Sequence, residues 1–221
     1  MRTALRHLST ALIVAGALLV IDAALTLAWQ EPASAIYARI NQDKLSGRLD
    51  DIETRPLLLA GQVRALRGLD PAQRIPFLAR AFRRRLERGD PVGRIRIPRI
   101  DANFVTIQGT DTASLRKGPG HYPDTPLPGL PGTVAVAGHR TTYLAPFRRI
   151  DELRPGDPIE LEMPYARFTY RVERTRIVLP TALWVTRPVG YPRLVLSACH
   201  PLYSASHRII VFARLVRTVP R

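Results

Sequence analysis

Residues 193–216 read RLVLSACHPLYSASHRIIVFARLV, and the pattern in them decides the fold class. Two runs rich in Leu, Ile and Val, Arg193–Ala198 and Ile209–Val216, flank a short Pro- and Ser-containing loop, which is the signature of two strands returned to a common rim. The same texture recurs upstream at Gly93–Pro98, Asn103–Gln108, Thr133–Gly138, Pro158–Met163 and Phe168–Val178, each run bounded by Pro, Gly or polar residues. So many short strands in about 130 residues favour a barrel or sandwich over alternating strand–helix units. The 20 prolines of the chain suit that loop-rich β domain better than a helix bundle.

Ahead of the β-rich part, residues 11–29 read ALIVAGALLVIDAALTLAW, nineteen residues with Asp22 as the only charge. That is about the length needed to cross a hydrocarbon core of roughly 30 Å. Arg2, Arg6 and His7 precede the run, whereas Glu31 follows it and the next cation is Arg39. The positive-inside bias therefore predicts a single-pass plasma-membrane anchor with a cytoplasmic N-terminus and an extracellular remainder. The rival is a cleaved signal peptide, since Ala33-Ser34-Ala35 resembles a cleavage site, but the run exceeds the usual 7–15 residue apolar core. Either reading exports the rest of the chain.

Residues 36–89 read as helical segments interrupted at Pro56 and Gly68. The clearest begins with Asp70 as N-cap and Pro71 in the first turn, continues through AQRIPFLARAFRRRLER and stops at Gly89. Arg80, Arg83, Arg84, Arg85 and Arg88 stand beside Phe77, Leu78, Phe82 and Leu86, which suits either a helix lying on anionic lipid or one docked on the next domain. The chain thus divides into a cytoplasmic N-terminus (1–10), an anchor (11–29), a helical juxtamembrane linker (30–89) and a β domain (90–221). Its 221 residues leave room for little more.

Formal net charge is +15, and of 33 cations only Lys44 and Lys117 are lysine. Such a balance favours anionic surfaces. No nucleic-acid partner is expected, because an exported domain rarely meets one and no binding motif of that kind is present. No Gly-rich phosphate loop, paired-Cys motif or H-E-x-x-H helix occurs either, which removes nucleotide binding and the common zinc sites.

Two strands end in reactive groups: TVAVAG runs into His139 and LVLSA runs into Cys199, the single cysteine of the chain. An exported chain usually pairs its thiols, so a lone one is a candidate reactive group. A thiol with an ordinary pKa near 8.5 is mostly protonated at neutral pH and gains nucleophilicity from an adjacent imidazole. Arg208, opening the next strand nine residues later, would return to the same rim, where a guanidinium can stabilise the oxyanion of acyl transfer. The alternatives are an inert buried cysteine, or a metal set of Cys199, His200 and His207 with His139 or His121. The second is disfavoured because adjacent Cys and His point to opposite faces of an extended chain.

The string VLSACHPLYSASHRIIVFARL resembles the active-site strand, loop and strand of sortases, and AGHRTTYLAPF resembles their catalytic-histidine segment. Upstream, VGRIRIPRIDANFVTIQGTDTASLRKGPGHYP is similar to the opening of the sortase barrel, particularly in the actinobacterial class E enzymes, as is WQEPASAIYA after the anchor. The resemblance implies an eight-stranded closed β-barrel and a membrane-bound cysteine transpeptidase. It makes Cys199 the nucleophile, His139 the acid and base, and Arg208 the oxyanion and substrate clamp. The implied partners are proteins carrying a C-terminal sorting signal, cleaved between Thr and Gly, and an amine of the cell wall, from lipid II or a peptidoglycan stem peptide. Class E signals have Ala rather than Pro after Leu, and Tyr122 in GHYP matches a position associated with that choice. The family's usual T-L-x-T-C appears here as Val195-Leu196-Ser197-Ala198-Cys199, without either threonine. No clustered carboxylates resemble the calcium site of some class A sortases, so neither metal nor other cofactor is expected. The rivals to a transpeptidase are a catalytically inactive, membrane-anchored envelope-binding or scaffold barrel, and a plain cysteine peptidase.

Overall fold

A computed structural model describes residues 2–28 and 32–221. The helices are α1 (Arg2–Ala28), α2 (Pro32–Thr54), α3 (Ala60–Ala65), α4 (Pro71–Arg83) and α5 (Thr112–Leu115). The strands are β1 (Pro91–Ile97), β2 (Ala102–Gln108), β3 (Gly120–His121), β4 (Thr133–Ala137), β5 (Pro158–Met163), β6 (Ala166–Val178), β7 (Arg193–His200) and β8 (His207–Pro220). Among the described residues these eight strands close into a barrel in the order β1-β2-β3-β4-β7-β8-β6-β5. Two neighbouring pairs, β2/β3 and β4/β7, are parallel; the others are antiparallel.

Alternation along the strands builds the interior. On β7, Leu194, Leu196 and Ala198 point into the barrel, where they join Ile209, Val211 and Ala213 of β8 and Ile95, Ile97, Phe168 and Tyr170. The intervening residues face outward. Val195 with Ala135, Ile210 and Phe212 forms a second apolar cluster outside the wall, covered by Val185 from the long β6–β7 connection.

Seven of the strands fall where hydrophobic alternation predicts them, with ends displaced by up to four residues. The eighth, β3, is two residues long and sits within GPGHYP, too short to carry a period. The basic segment ends its helix at Arg83, not at Gly89 as the helix-forming Arg, Leu and Glu residues predict. The chain must turn there to enter β1, and the Asp90 carboxylate accepts from the Glu87 N–H at 2.9 Å to close that turn. Ile75, Ala79 and Phe82 are buried, so α4 docks its apolar face on the barrel and turns its arginines to solvent.

Helix α2 also packs on the wall. Leu45 and Leu49 meet Val105 and Ile107 of β2, and the Gln42 side-chain amide bonds both the N–H and the C=O of Val105, at 2.7 and 3.0 Å. Helix α1 carries one segment, Leu5–Ala24, long and apolar enough to cross a membrane, fully exposed within the protein and therefore a candidate anchor. Trp29 and Glu31, which bear on the end and polarity of that anchor, lie outside the described residues.

Candidate active site

The ladder brings the candidate residues into one row. Cys199 and Arg208 are direct partners in the β7/β8 register. On the other side of β7, Ala137 of β4 pairs with Ser197, and the Gly138 N–H continues the ladder to the Ser197 carbonyl at 3.0 Å. Two residues past that pair stand His139 and Cys199. Neighbouring strands lie about 4.8 Å apart, so Cys199 on β7, Arg208 on β8 and His139 just past the end of β4 stand side by side at one end of the barrel. The Cys199 and Arg208 side chains share the outward face, because Cys199 is in phase with Ser197 and Val195 and out of phase with the buried Ala198.

His139 is held from several sides. Adding a Cβ to Gly138 would bring it within 2.6 Å of the Phe147 ring, so only glycine lets Phe147 close on the strand end. Arg140, buried beside the histidine, donates through Nε and Nη2 to the Arg148 carbonyl at 3.1 and 3.0 Å and pairs with Asp151 at 2.7 Å. This ties residues 140–148 into a closed loop. Within it Tyr143, Leu144 and Ala145 all adopt positive φ (52°, 63° and 39°), a strained run that the Arg140 clamp sustains. The Tyr143 ring then packs on the imidazole, centroids 5.4 Å apart. Helix α2 backs this contact: Tyr37 meets Tyr143 edge-on at 6.3 Å, and the Tyr143 N–H donates to Ser34 Oγ at 3.3 Å. Burial, with a smaller contribution from the Arg116 charge, holds His139 below the ordinary histidine pKa. Its Nε2 is buried without a partner among the described residues.

Arg208 donates through Nη1 to the carbonyls of Ala205 and His207, at 2.9 and 3.0 Å, which fixes its position on the β7–β8 loop. Cys199 is half-exposed. Beyond it along the outer face runs a groove of about 340 Å³ lined by Tyr122, Ser197, Ile210, Leu183, Pro188 and Arg208 among others. Its roof is the β6–β7 connection, pinned by Arg193 Nη2 to the Val185 and Arg187 carbonyls (2.7 and 2.9 Å) and by Thr133 Oγ1 to the Arg187 carbonyl (3.0 Å). Tyr122 and Arg208, the register partner of Cys199, line this groove.

The remaining histidines go elsewhere. His200 turns to the opposite face, its Nδ1 3.3 Å from Arg140, and His207 is exposed beside Ser206. His121 is buried, its ring nitrogens 2.8 Å from Gln108 Oε1 and 3.2 Å from the Pro126 carbonyl, and burial pushes its pKa down to about 4. Ala198, in the place of a familiar threonine, sits inside the core, so a hydroxyl there would point away from the thiol.

Sequence reasoning did not single out Tyr143 or Arg140. Arg140 follows His139 directly, but its burial is invisible in a chain this rich in arginine. The strained backbone of residues 143–145 has no glycine to announce it.

Comparison with known proteins agrees with this geometry. The sortase-domain family model matches residues 95–216. Sortase D of Bacillus subtilis is 35% identical over 134 residues, covering 59% of this chain and 66% of that protein. Sortase SrtE1 of Streptomyces coelicolor is 30% identical over 151 residues, covering 61% of this chain and 43% of that one. This chain thus spans less than two thirds of either relative. The structure of sortase E from Streptomyces avermitilis superposes with a TM-score of 0.56 at 38% identity over 61% of this chain and 93% of that one. Sortase E1 of S. coelicolor, solved with a tripeptide in its active site, gives 0.56 at 29% identity over 59% and 91%. With its closed barrel and its match over residues 95–216, the chain belongs to the sortase family and is class E-like.

Proposed function

We propose that the protein is a membrane-anchored cysteine transpeptidase acting on C-terminal sorting signals, with Cys199, His139 and Arg208 as its catalytic groups. The observation that carries this reading is their placement at adjacent strand ends, Cys199 on β7, Arg208 opposite it on β8 and His139 two residues past the end of β4. With its pKa held down, His139 is a neutral base at pH 7. It accepts the thiol proton as Cys199 attacks the carbonyl of Thr in a Thr–Gly bond. Arg208 faces the oxyanion, for which a planar guanidinium offers paired donors. Collapse breaks the C–N bond, His139 returns the proton to the departing Gly amine, and a thioester remains on Cys199. A cell-wall amine then attacks the thioester, transfers its proton to His139 and leaves the substrate joined through a new amide, with the thiol restored.

Tyr122 at the groove wall supports Leu-Ala-x-Thr-Gly as the preferred signal, because a phenol there occupies space that a proline ring would need. The helix Leu5–Ala24 would hold the barrel on the outer membrane surface, N-terminus inside.

Product analysis tests the reading. The full chain in detergent is incubated with Ala and Pro versions of the signal peptide, with and without an added amine. The expected result is ligated product with the amine and faster turnover of the Ala peptide, by about 10–200-fold. Hydrolysis alone would make the protein a peptidase, and no cleavage would make it an inactive barrel. Preference for the Pro peptide would remove the role of Tyr122.

A further inference from the structure

Where α4 crosses the barrel it forms, with the residue 129–132 loop and the Pro188–Pro192 segment, an apolar cleft of about 670 Å³. Ile75, Leu130, Phe168, Tyr191 and Leu215 supply its floor and walls. This cleft and the groove leading to Cys199 share Pro131, Gly132 and Pro188 as a common wall, so one continues into the other. On the outer side Arg80, Arg83 and Arg84 of α4 border a third depression that shares Arg80, Leu130 and Pro131 with the cleft. No acidic residue lines the cleft or this depression. Arg84 has no ion-pair partner among the described residues, and Arg80 lies over the Phe77 ring at 5.1 Å. Arg83 donates to the Pro123 carbonyl at 3.4 Å, which ties the helix to the segment carrying Tyr122.

We infer that this cleft binds the segment of the substrate protein immediately N-terminal to the sorting signal, and that it favours apolar and acidic residues there. The inference rests on the proposed cleavage, in which four of five signal residues stay on the acyl side and run along the groove. Those four residues, extended, span about 13 Å, whereas the distance along β7 from Cys199 to Arg193, whose N–H donates to the Gly132 carbonyl of the shared wall, is about 20 Å. A substrate chain that begins at Cys199 therefore reaches the shared wall within two more residues and enters the cleft. There it meets an apolar floor with Arg80 at its edge and Arg83 and Arg84 in the adjoining depression, for which side chains of opposite charge are the complement. Because α4 precedes the family match at residues 95–216, one wall of this subsite, Ala72, Ile75, Pro76 and Arg80, comes from a part of the chain outside the common domain.

The test compares kcat/KM for three peptides with the same signal: no upstream residues, an upstream hexapeptide of Leu and Glu, and one of Ser and Lys. Full chain in neutral detergent is used throughout. The acidic, apolar flank should exceed the basic flank by about fivefold, mostly through KM, since exposed charge pairs each contribute only a few-fold. Arg80→Glu should reverse that ratio, and Ala72→Trp, which fills the cleft, should bring both long peptides to the level of the short one. Ratios near one in the parent, or a ratio unchanged by Arg80→Glu, would overturn the inference and leave the cleft to another occupant, such as anionic lipid or a second copy of the chain. The inference falls together with the proposed function only if the short peptide also goes uncleaved.

Discussion

The barrel wall at β4, β7 and β8 and the helical layer of α2 and α4 contribute to one site by different means. In the wall, position follows from hydrogen-bond register: once Ala137 pairs with Ser197 and Cys199 with Arg208, the row is set by backbone alone. In the helical layer, position follows from side-chain packing between elements far apart in sequence, as when Tyr37 reaches Tyr143 and Arg83 reaches Pro123. The difference teaches that the wall carries the proposed reacting groups, whereas the helices set what surrounds them. Substitutions in the wall should act on the chemical step. Those in the layer should act on proton affinity and on substrate choice.

The largest effect belongs to the wall. Cys199→Ala removes the proposed nucleophile from a half-exposed position, so turnover should vanish while thermal stability stays near that of the parent. A variant that loses stability yet keeps its activity would make Cys199 a packing residue. Next comes Arg208→Lys, which keeps charge but not the planar fork. A fall of about 10²–10³ in kcat is expected, and a rate within threefold of the parent would show that Arg208 acts through its field alone.

A third change probes the fold on which both regions rest. His121 has its folded-state pKa depressed to about 4 from 6.5, so the unfolded chain takes up the proton first. Its contribution to stability is whole above pH 6.5 and is lost as pH falls toward 4, by about 3 kcal/mol if the full shift is expressed. Denaturant titrations between pH 7 and 4 should show this loss, and His121→Gln should flatten the slope. An unchanged slope would place the acid sensitivity elsewhere.

The smallest effect tests the contact between layer and wall, where Tyr37 of α2 meets Tyr143. Tyr143→Ala removes a ring packed on His139, so the acidic limb of kcat/KM, expected below the ordinary histidine value in the parent, should move up toward that value. The rate at pH 8 should change only a few-fold. A limb that stays in place would show that Tyr143 fills space without acting on the imidazole.

How much of this was legible in the sequence follows the same division. Strand alternation in TVAVA and LVLSAC placed Cys199 and His139 at strand ends, and a short returning loop brought Arg208 back to them. The register that makes them one row could only be read from the folded sheet. β3 escaped because two residues carry no periodicity, although it orients Tyr122 directly after it. The overlong reading of α4 came from helix-forming residues 84–88, whose propensity is overridden by the turn into β1. Nor could the choice between lipid and barrel for the apolar face of α4 be made before Ile75, Ala79 and Phe82 were seen buried. The αL run at 143–145 is a tertiary consequence of the Arg140 clamp and has no local signal.

The central claim is that acyl transfer passes through the thiol of the chain's single cysteine. Intact-mass spectrometry of the full chain, quenched in acid during turnover of the Leu-Ala-x-Thr-Gly peptide, tests it directly. The account predicts a covalent adduct equal in mass to the peptide through Thr, absent in Cys199→Ala and discharged when an amine is added. Turnover with no adduct under trapping conditions, or an adduct that persists in Cys199→Ala, would contradict it.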